Sequence, residues 1–99
     1  MLIDPASASL QHAMDVAEVR HGLLTQNMAN LNTPGYARQD LDFEAALKGS
    51  SSDLESQVVT KGPPSLVTEA GDMAANDSFY AANARLLSLH YQTLHQALK

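Results

Sequence analysis

Three carboxylates alternate along Asp40, Asp42 and Glu44, and four histidines stand at positions 12, 21, 90 and 95. These are the residues that could hold a metal or move a proton. Closely spaced carboxylates can ligate a hard divalent cation or divide acid and base roles between them. Here no histidine neighbours the trio in sequence, and no fourth group falls at a ligand-like spacing. Carboxylates at a helix start also answer orphan backbone N–H groups and the helix dipole. On that reading Asp40 or Asp42 caps a short helix through Phe43, Ala46 and Leu47, with Gly49 as its stop. His12 and His21 are nine apart and His90 and His95 five apart, so neither pair has the i, i+4 spacing of a helical metal pair. There is no cysteine for thiolate chemistry or disulfides, no glycine-rich phosphate loop, and no serine in a nucleophile-elbow pattern. Tyr36, Tyr80 and Tyr91 are expected to pack with their hydroxyls on polar partners. No catalytic residue, no metal site and no cofactor is expected.

The densest local signal is a stop signal, Ala29-Asn30-Leu31-Asn32-Thr33-Pro34-Gly35-Tyr36-Ala37-Arg38. Asn30 and Asn32 tolerate the left-handed conformation that ends helices. Pro34 cannot continue a helix from upstream and biases Thr33 toward extended geometry. Thr33-Pro34-Gly35-Tyr36 places Pro and Gly at the two centres of a type II turn. Turn chemistry alone needs the Pro and one Asn or Gly, so it leaves part of the string unexplained.

The elements around this turn follow from apolar spacing. Asp4-Pro5 opens a helix, with Asp as cap and Pro in the first position. Leu10, Met14, Ala17, His21, Leu24, Met28 and Leu31 then alternate steps of four and three, a heptad seam with one polar member. Val16, Val19 and Leu23 form a second stripe beside it. Gly22 inside this helix is either tolerated drift or a point where another backbone comes close. Residues 49 to 71 turn polar. Gly49-Ser50-Ser51-Ser52-Asp53 reads as a linker, and Val58-Val59-Thr60 and Leu66-Val67-Thr68 are β-type runs that suit a small hairpin or an extended loop equally. Helix returns from about Asp72, with a start or restart at Asp77 or Ser78. Tyr80, Ala84, Leu87, Tyr91, Leu94 and Leu98 again alternate four and three, flanked by Phe79, Leu86 and His90, and Arg85 is the only charge between Ser78 and Leu98.

The expected fold is therefore all-α. It is an antiparallel hairpin of two long coiled-coil-type helices, joined by a polar loop with room for a short β-hairpin. Its parts are a helix at 5–30, the turn and loop region at 31–76, and a helix at 77–98, within one domain of 99 residues. Leu10–Leu31 is expected to pair with Tyr80–Leu98, and the second stripes to remain for neighbours. A net charge of −5 argues against a nucleic-acid phosphate binder. No stretch of 18 apolar residues spans a membrane, and Met1-Leu2-Ile3-Asp4-Pro5 lacks the basic and apolar regions of a cleavable leader. A chain this short often leans on partners for stability.

Asn27-Met28-Ala29-Asn30-Leu31-Asn32-Thr33-Pro34-Gly35-Tyr36 resembles the N-terminal signature of bacterial flagellar axial proteins, which reads roughly Asn-x-Ala-Asn-x-x-Thr-Pro-Gly-Tyr. The continuation Ala37 to Leu47 is similar to the proximal rod branch of that family. The C-terminal helix matches in outline, and the middle of the chain is unmatched. The resemblance implies helices nested as coiled coils in a hollow, torque-transmitting, periplasm-spanning rod of the flagellar basal body. It implies export through the flagellar type III apparatus without a cleaved signal. The implied partners are copies of the chain, other rod proteins, the adaptor between membrane ring and rod, and the export apparatus, with no small-molecule substrate. Asn27, Ala29, Asn30, Thr33, Pro34, Gly35 and Tyr36 would fix the helix end and a loop that touches adjacent subunits. Phe43 and Leu47 resemble the Phe-x-x-x-aliphatic element of early export substrates, or else simply pack a helix. A self-contained helical binding module, such as a small adaptor or chaperone using its seam as a groove, is the alternative.

Overall fold

The computed structural model of the chain describes residues 4–99. Met1-Leu2-Ile3, part of the stretch read above for a leader, lies outside them. Helix α1 (Pro5–Ala29) begins as its sequence predicts. Asp4 Oδ1 accepts from the Ser7 backbone N–H at 2.9 Å, and Ser7 Oγ donates to Asp4 Oδ2 at 3.1 Å. Its end differs from the expectation. Asn30 closes the helix at φ −112°, ψ 20°, and among the described residues no residue other than glycine has positive φ. The stop works through side chains instead. Asn30 Nδ2 donates to Gln26 O at 2.8 Å, and Thr33 Oγ1 donates to Asn30 Oδ1 at 3.0 Å. The type II turn then forms as predicted, with Gly35 at φ +76° and the Tyr36 N–H donating to Thr33 O at 3.2 Å.

Beyond the turn come strand β1 (Gln39–Leu41), helix α2 (Phe43–Lys48), a 3-10 helix (Ser51–Gln57) in place of the expected linker, and strand β2 (Val58–Thr60). Asp42 caps α2 by accepting from the Ala45 N–H at 3.2 Å, and the Gly49 N–H closes it on Ala45 O at 3.0 Å. The two strands are antiparallel, with Gln39 opposite Thr60 and Leu41 opposite Val58. Val58-Val59-Thr60 is thus a strand, but its partner lies upstream of it. Leu66-Val67-Thr68, the other β-type run, is helical.

Helix α3 (Leu66–Ala97) starts at residue 66 rather than 77. Three local features outweigh the β-branched side chains. Pro63-Pro64 precede the helix and cannot sit inside one. Ser65 Oγ accepts from the Thr68 N–H at 3.1 Å, and Glu69 reaches back to accept from the Ser65 N–H at 3.2 Å. This is a capping box displaced by one residue. At 32 residues, α3 is about 48 Å long. It runs antiparallel to α1 in an envelope of 59 × 23 × 18 Å. Asn27 meets Glu69, Ala17 meets Asn76, and Asp4 meets His90. The pairing is therefore α1 with Glu69–Tyr91, which overlaps the expected Tyr80–Leu98 only in part. Leu94 and Leu98 lie past the level of Asp4 and are exposed.

The small core also corrects one expectation. Val16, Leu41, Ala46 and Leu54 are buried together, with Val19, Leu23, Phe43 and Val58 packed against them. The second stripe of α1 is thus covered by the chain's own β1, α2 and 3-10 helix. Phe79 of α3 joins this layer, edge-on to Phe43 at 5.1 Å. The seam residues Ala17 and Leu24, both fully buried, lie on the α1 face turned to α3.

A Cβ built at Gly22 would meet nothing within 4 Å, so no backbone approaches there. Gly22→Ala is expected to raise unfolding free energy by about 1 kcal/mol. Leu24→Ala, at a fully buried position, is expected to cost about 2–5 kcal/mol. Urea unfolding of both variants checks this packing. A destabilised Gly22→Ala, or a Leu24→Ala no weaker than the parent, contradicts it.

Candidate functional site

The carboxylate trio does not converge. Asp42 caps α2, Glu44 pairs with Lys48 at 3.0 Å on the surface, and Asp40 turns inward to Arg20. The histidines lie apart. His12 Nε2 donates to Ala46 O at 2.8 Å, His21 is 3.3 Å from Asp77, and His90 is 2.9 Å from Asp4. The Asp4 carboxyl is held down to about 2, first by the Ser7 backbone N–H and then by His90. Among the described residues no group of three or more His, Cys, Asp or Glu could hold a metal ion.

What converges is a buried polar cluster behind the signature turn. Asn27, fully buried, uses its side-chain amide on both sides. Its Nδ2 donates to Gln39 O at 2.7 Å and to Glu69 Oε1 at 3.0 Å. Its Oδ1 accepts from the Gln39 N–H at 2.9 Å and from Tyr36 Oη at 3.2 Å. An amide has two donors and two acceptor sites, and all four are used. At Gln39 the side chain binds both the N–H and the C=O, as a neighbouring strand's peptide would. It so extends the two-stranded sheet by one rung and ties β1 to the end of α1.

Glu69 is also fully buried. Arg38 Nε and a terminal guanidinium nitrogen donate to it at 3.0 and 2.8 Å. Arg38 also donates to Asp72 at 3.2 Å. Arg20 grips Asp40 with two bonds of 2.8 and 3.1 Å and stacks over the Phe43 ring at 5.6 Å. Two guanidinium groups thus serve three carboxylates, Asp40, Glu69 and Asp72, contributed by β1 and α3. Burial pushes the Asp40 and Glu69 carboxyls up. The Arg20 bonds on Asp40, and the Arg38 and Asn27 bonds on Glu69, outweigh that and leave both below the ordinary range. Hydrogen bonds to these carboxylates raise both arginines, Arg20 through Asp40 and Arg38 through Glu69. Both arginines stay charged, and Asp40 and Glu69 do not titrate near neutrality.

The signature residues divide by side. Asn27 and the Tyr36 hydroxyl face inward. Ala29, Thr33, Pro34 and Gly35 are exposed and present the turn outward, with Asn30 half-buried between. A shallow groove of about 350 Å³ separates the turn from Gly62-Pro63-Pro64. Of the seam residues on α1, Ala17 and Leu24 are buried, and Leu10, Met14 and Met28 half-buried, as is Leu31 in the turn beyond it. On α3, Leu87 and Tyr91 are half-buried, while Tyr80, Leu94 and Leu98 are exposed. The Tyr91 hydroxyl accepts from Gln11 Nε2 at 3.0 Å. Arg20, Arg38, Glu69 and Asp72 carry no mark in the sequence as a group. Only the Ser65–Glu69 helix start could have drawn attention to Glu69.

Comparison with known proteins finds partial matches to one kind of protein. The chain is 39% identical over 46 residues to flagellar basal body rod protein FlgB of Salmonella typhimurium, covering 46% of this chain and 33% of that protein. The values for the Escherichia coli protein of the same name are the same. With Bacillus subtilis FlgB the identity is 34% over 47 residues, 48% of this chain and 36% of that protein. Over that stretch the chain is FlgB-like. No protein-family model matches it. The chain spans about a third of the length of the curated relatives it matches.

Asn27→Ala is expected to cost about 2–3 kcal/mol, because it strands the Gln39 peptide and removes a donor from buried Glu69. A loss under about 0.5 kcal/mol, the level of an ordinary surface change, would contradict this role. The depressed carboxyls also set an acid limit. Their contribution is fully present above the ordinary values of 3.8 for Asp40 and 4.5 for Glu69, and is lost as pH falls through the lower native values. Denaturation midpoints taken at neutral pH and across the acid range should fall only in acid. Replacing Asp40 with Asn should flatten that fall.

Proposed function

We propose that the chain is a structural subunit of the bacterial flagellar basal-body rod. The match to FlgB proteins over 46 residues carries this reading. In it, copies of the chain set α1 and α3 beside those of their neighbours to form a hollow shaft that transmits torque. The partners are further copies, other rod proteins, the adaptor joining membrane ring to rod, and the export apparatus that delivers subunits. The shaft spans the periplasm, and the role is mechanical rather than enzymatic.

The surface of α3 supports this reading. Leu98 is 86% exposed, Leu86 53% and Leu89 44%, and Tyr80 and Leu94 are exposed as well. Leu89 lies on the side of α3 away from its seam, so the hairpin cannot cover it by closing more tightly, and Leu86 stands exposed on the flanking stripe between Phe79 and His90. The seam divides its work accordingly. Leu10, Met14, Ala17, Leu24, Met28, Leu87 and Tyr91 serve the hairpin, while Tyr80, Leu94, Leu98 and the Leu86–Leu89 stripe serve adjacent subunits. The exposed turn at Thr33, Pro34 and Gly35 offers a second contact. One observation favours a self-contained binding module instead. The Asn27–Glu69 cluster is satisfied wholly within one chain, which suits a monomer that folds alone.

Sedimentation and circular dichroism over a range of concentrations separate the two. The rod reading expects open growth without a size plateau, since a head-to-tail contact does not close. Leu86→Asp and Leu89→Asp are expected to block growth and leave helicity unchanged. A stable monomer or closed dimer at every concentration would overturn it.

A further inference from the structure

His12 stands on the side of α1 that α2 and the 3-10 helix cover, and both of its ring nitrogens are bonded. Nε2 lies 2.8 Å from Ala46 O, and Nδ1 lies 2.8 Å from Ser51 Oγ. Ser51 Oγ in turn donates to Asp15 Oδ2 at 2.8 Å. Together these bonds fix where the protons are. A backbone carbonyl only accepts, so Nε2 carries a proton. A serine hydroxyl has one proton and an ionised carboxylate only accepts, so the Ser51 proton points at Asp15. Ser51 Oγ then has only lone pairs to offer His12, and Nδ1 must carry a proton too. An imidazole protonated on both nitrogens is the cation.

The surroundings suit that charge. Ala46 O is among the last four carbonyls of α2, which have no donor further along the helix. Asp15, one turn along α1, supplies the opposite charge through the Ser51 hydroxyl. The other charged groups on these elements are engaged or exposed. Glu44 and Lys48 of α2 pair with each other at 3.0 Å, and Asp53 of the 3-10 helix accepts from Ser50 Oγ at 2.9 Å. Glu18 of α1 and Glu55 of the 3-10 helix are exposed. Helix α3 covers the face of Ala17 and Leu24, about 120–140° around α1 from His12. With a neutral ring the three bonds cannot coexist. Either His12 loses Ser51, or Ser51 turns its proton to Nδ1 and lets Asp15 go.

We propose that His12 is held as an imidazolium, and that His12, Ser51 and Asp15 form a proton-operated clasp between α1 and the layer over it. When the Nδ1 proton leaves to solvent, the Ser51 proton turns from Asp15 to Nδ1. The clasp then opens at the start of the 3-10 helix, the element that carries Leu54 into the core. This holds whether or not the chain sits in a rod. The test is NMR of the 15N-labelled full chain, reading the protons on each histidine nitrogen. At neutral pH His12 is expected to carry a proton on both. Raising the pH is expected to remove the one on Nδ1 and to shift the Ser51 and Asp15 amides in the same step. Ser51→Ala and Asp15→Ala, both at exposed positions, are each expected to leave His12 at neutral pH with the Nε2 proton alone, circular dichroism being unchanged. A singly protonated His12 in the parent at neutral pH would overturn the proposal. So would a doubly protonated ring in both variants, or Ser51 and Asp15 amides that ignore the His12 step.

Discussion

A fully buried carboxylate survives in a fold only where donors surround it. Glu69 has them: the guanidinium of Arg38, the amide of Asn27 and the N–H of Ser65. Each donor comes from a different part of the chain. Asn27 stands near the end of α1, Arg38 just before β1, and Ser65 at the start of α3. Meeting the demands of one side chain therefore brings together the end of the first helix, the return from the turn and the start of the last helix. Replacing such a cluster with apolar residues need not weaken a protein. Its value here is positional, because the arrangement of these three segments satisfies Glu69, Asn27 and the Gln39 peptide at once.

The two ends of the hairpin differ for this reason. At the turn end the polar groups saturate one another, and the small core of Val16, Leu41, Ala46 and Leu54 lies under the same layer. At the other end α3 continues past Asp4, and its apolar residues Leu94 and Leu98 meet solvent. Among the described residues, one end is closed by its own chain and the other exposes apolar side chains.

The outline of this architecture was legible in the sequence. Asp4-Pro5, the heptad spacing of Leu10 to Leu31, and Thr33-Pro34-Gly35-Tyr36 are local signals. Each works through residues within a turn or two of itself, so reading them in order gives the helix, its end and the type II turn. Asp42 as the cap of α2 was readable for the same reason. The start of α3 was misplaced because Leu66-Val67-Thr68 favours strand by side-chain type. Its helical state depends on Ser65 Oγ capping the Thr68 N–H and on Glu69 accepting from the Ser65 N–H, and Glu69 stays there because Arg38 holds it from 31 residues away.

By itself, then, the sequence determined where α1 begins and ends, the turn that follows it, the cap of α2 and the apolar stripes the long helices carry, since caps, prolines and periodicity act over short distances. Only the tertiary structure decided which stripe is inside and which outside. The Val16–Val19–Leu23 stripe is covered by the chain's own loop region, while Leu86 and Leu89 are not, and both look alike in one dimension. The tertiary structure also decided the roles of the charges. Arg20, Arg38, Asp40, Glu69 and Asp72 are scattered surface-type residues until folding places them within hydrogen-bond reach of one another. Charge pairing depends on distance in space, which a linear pattern does not encode.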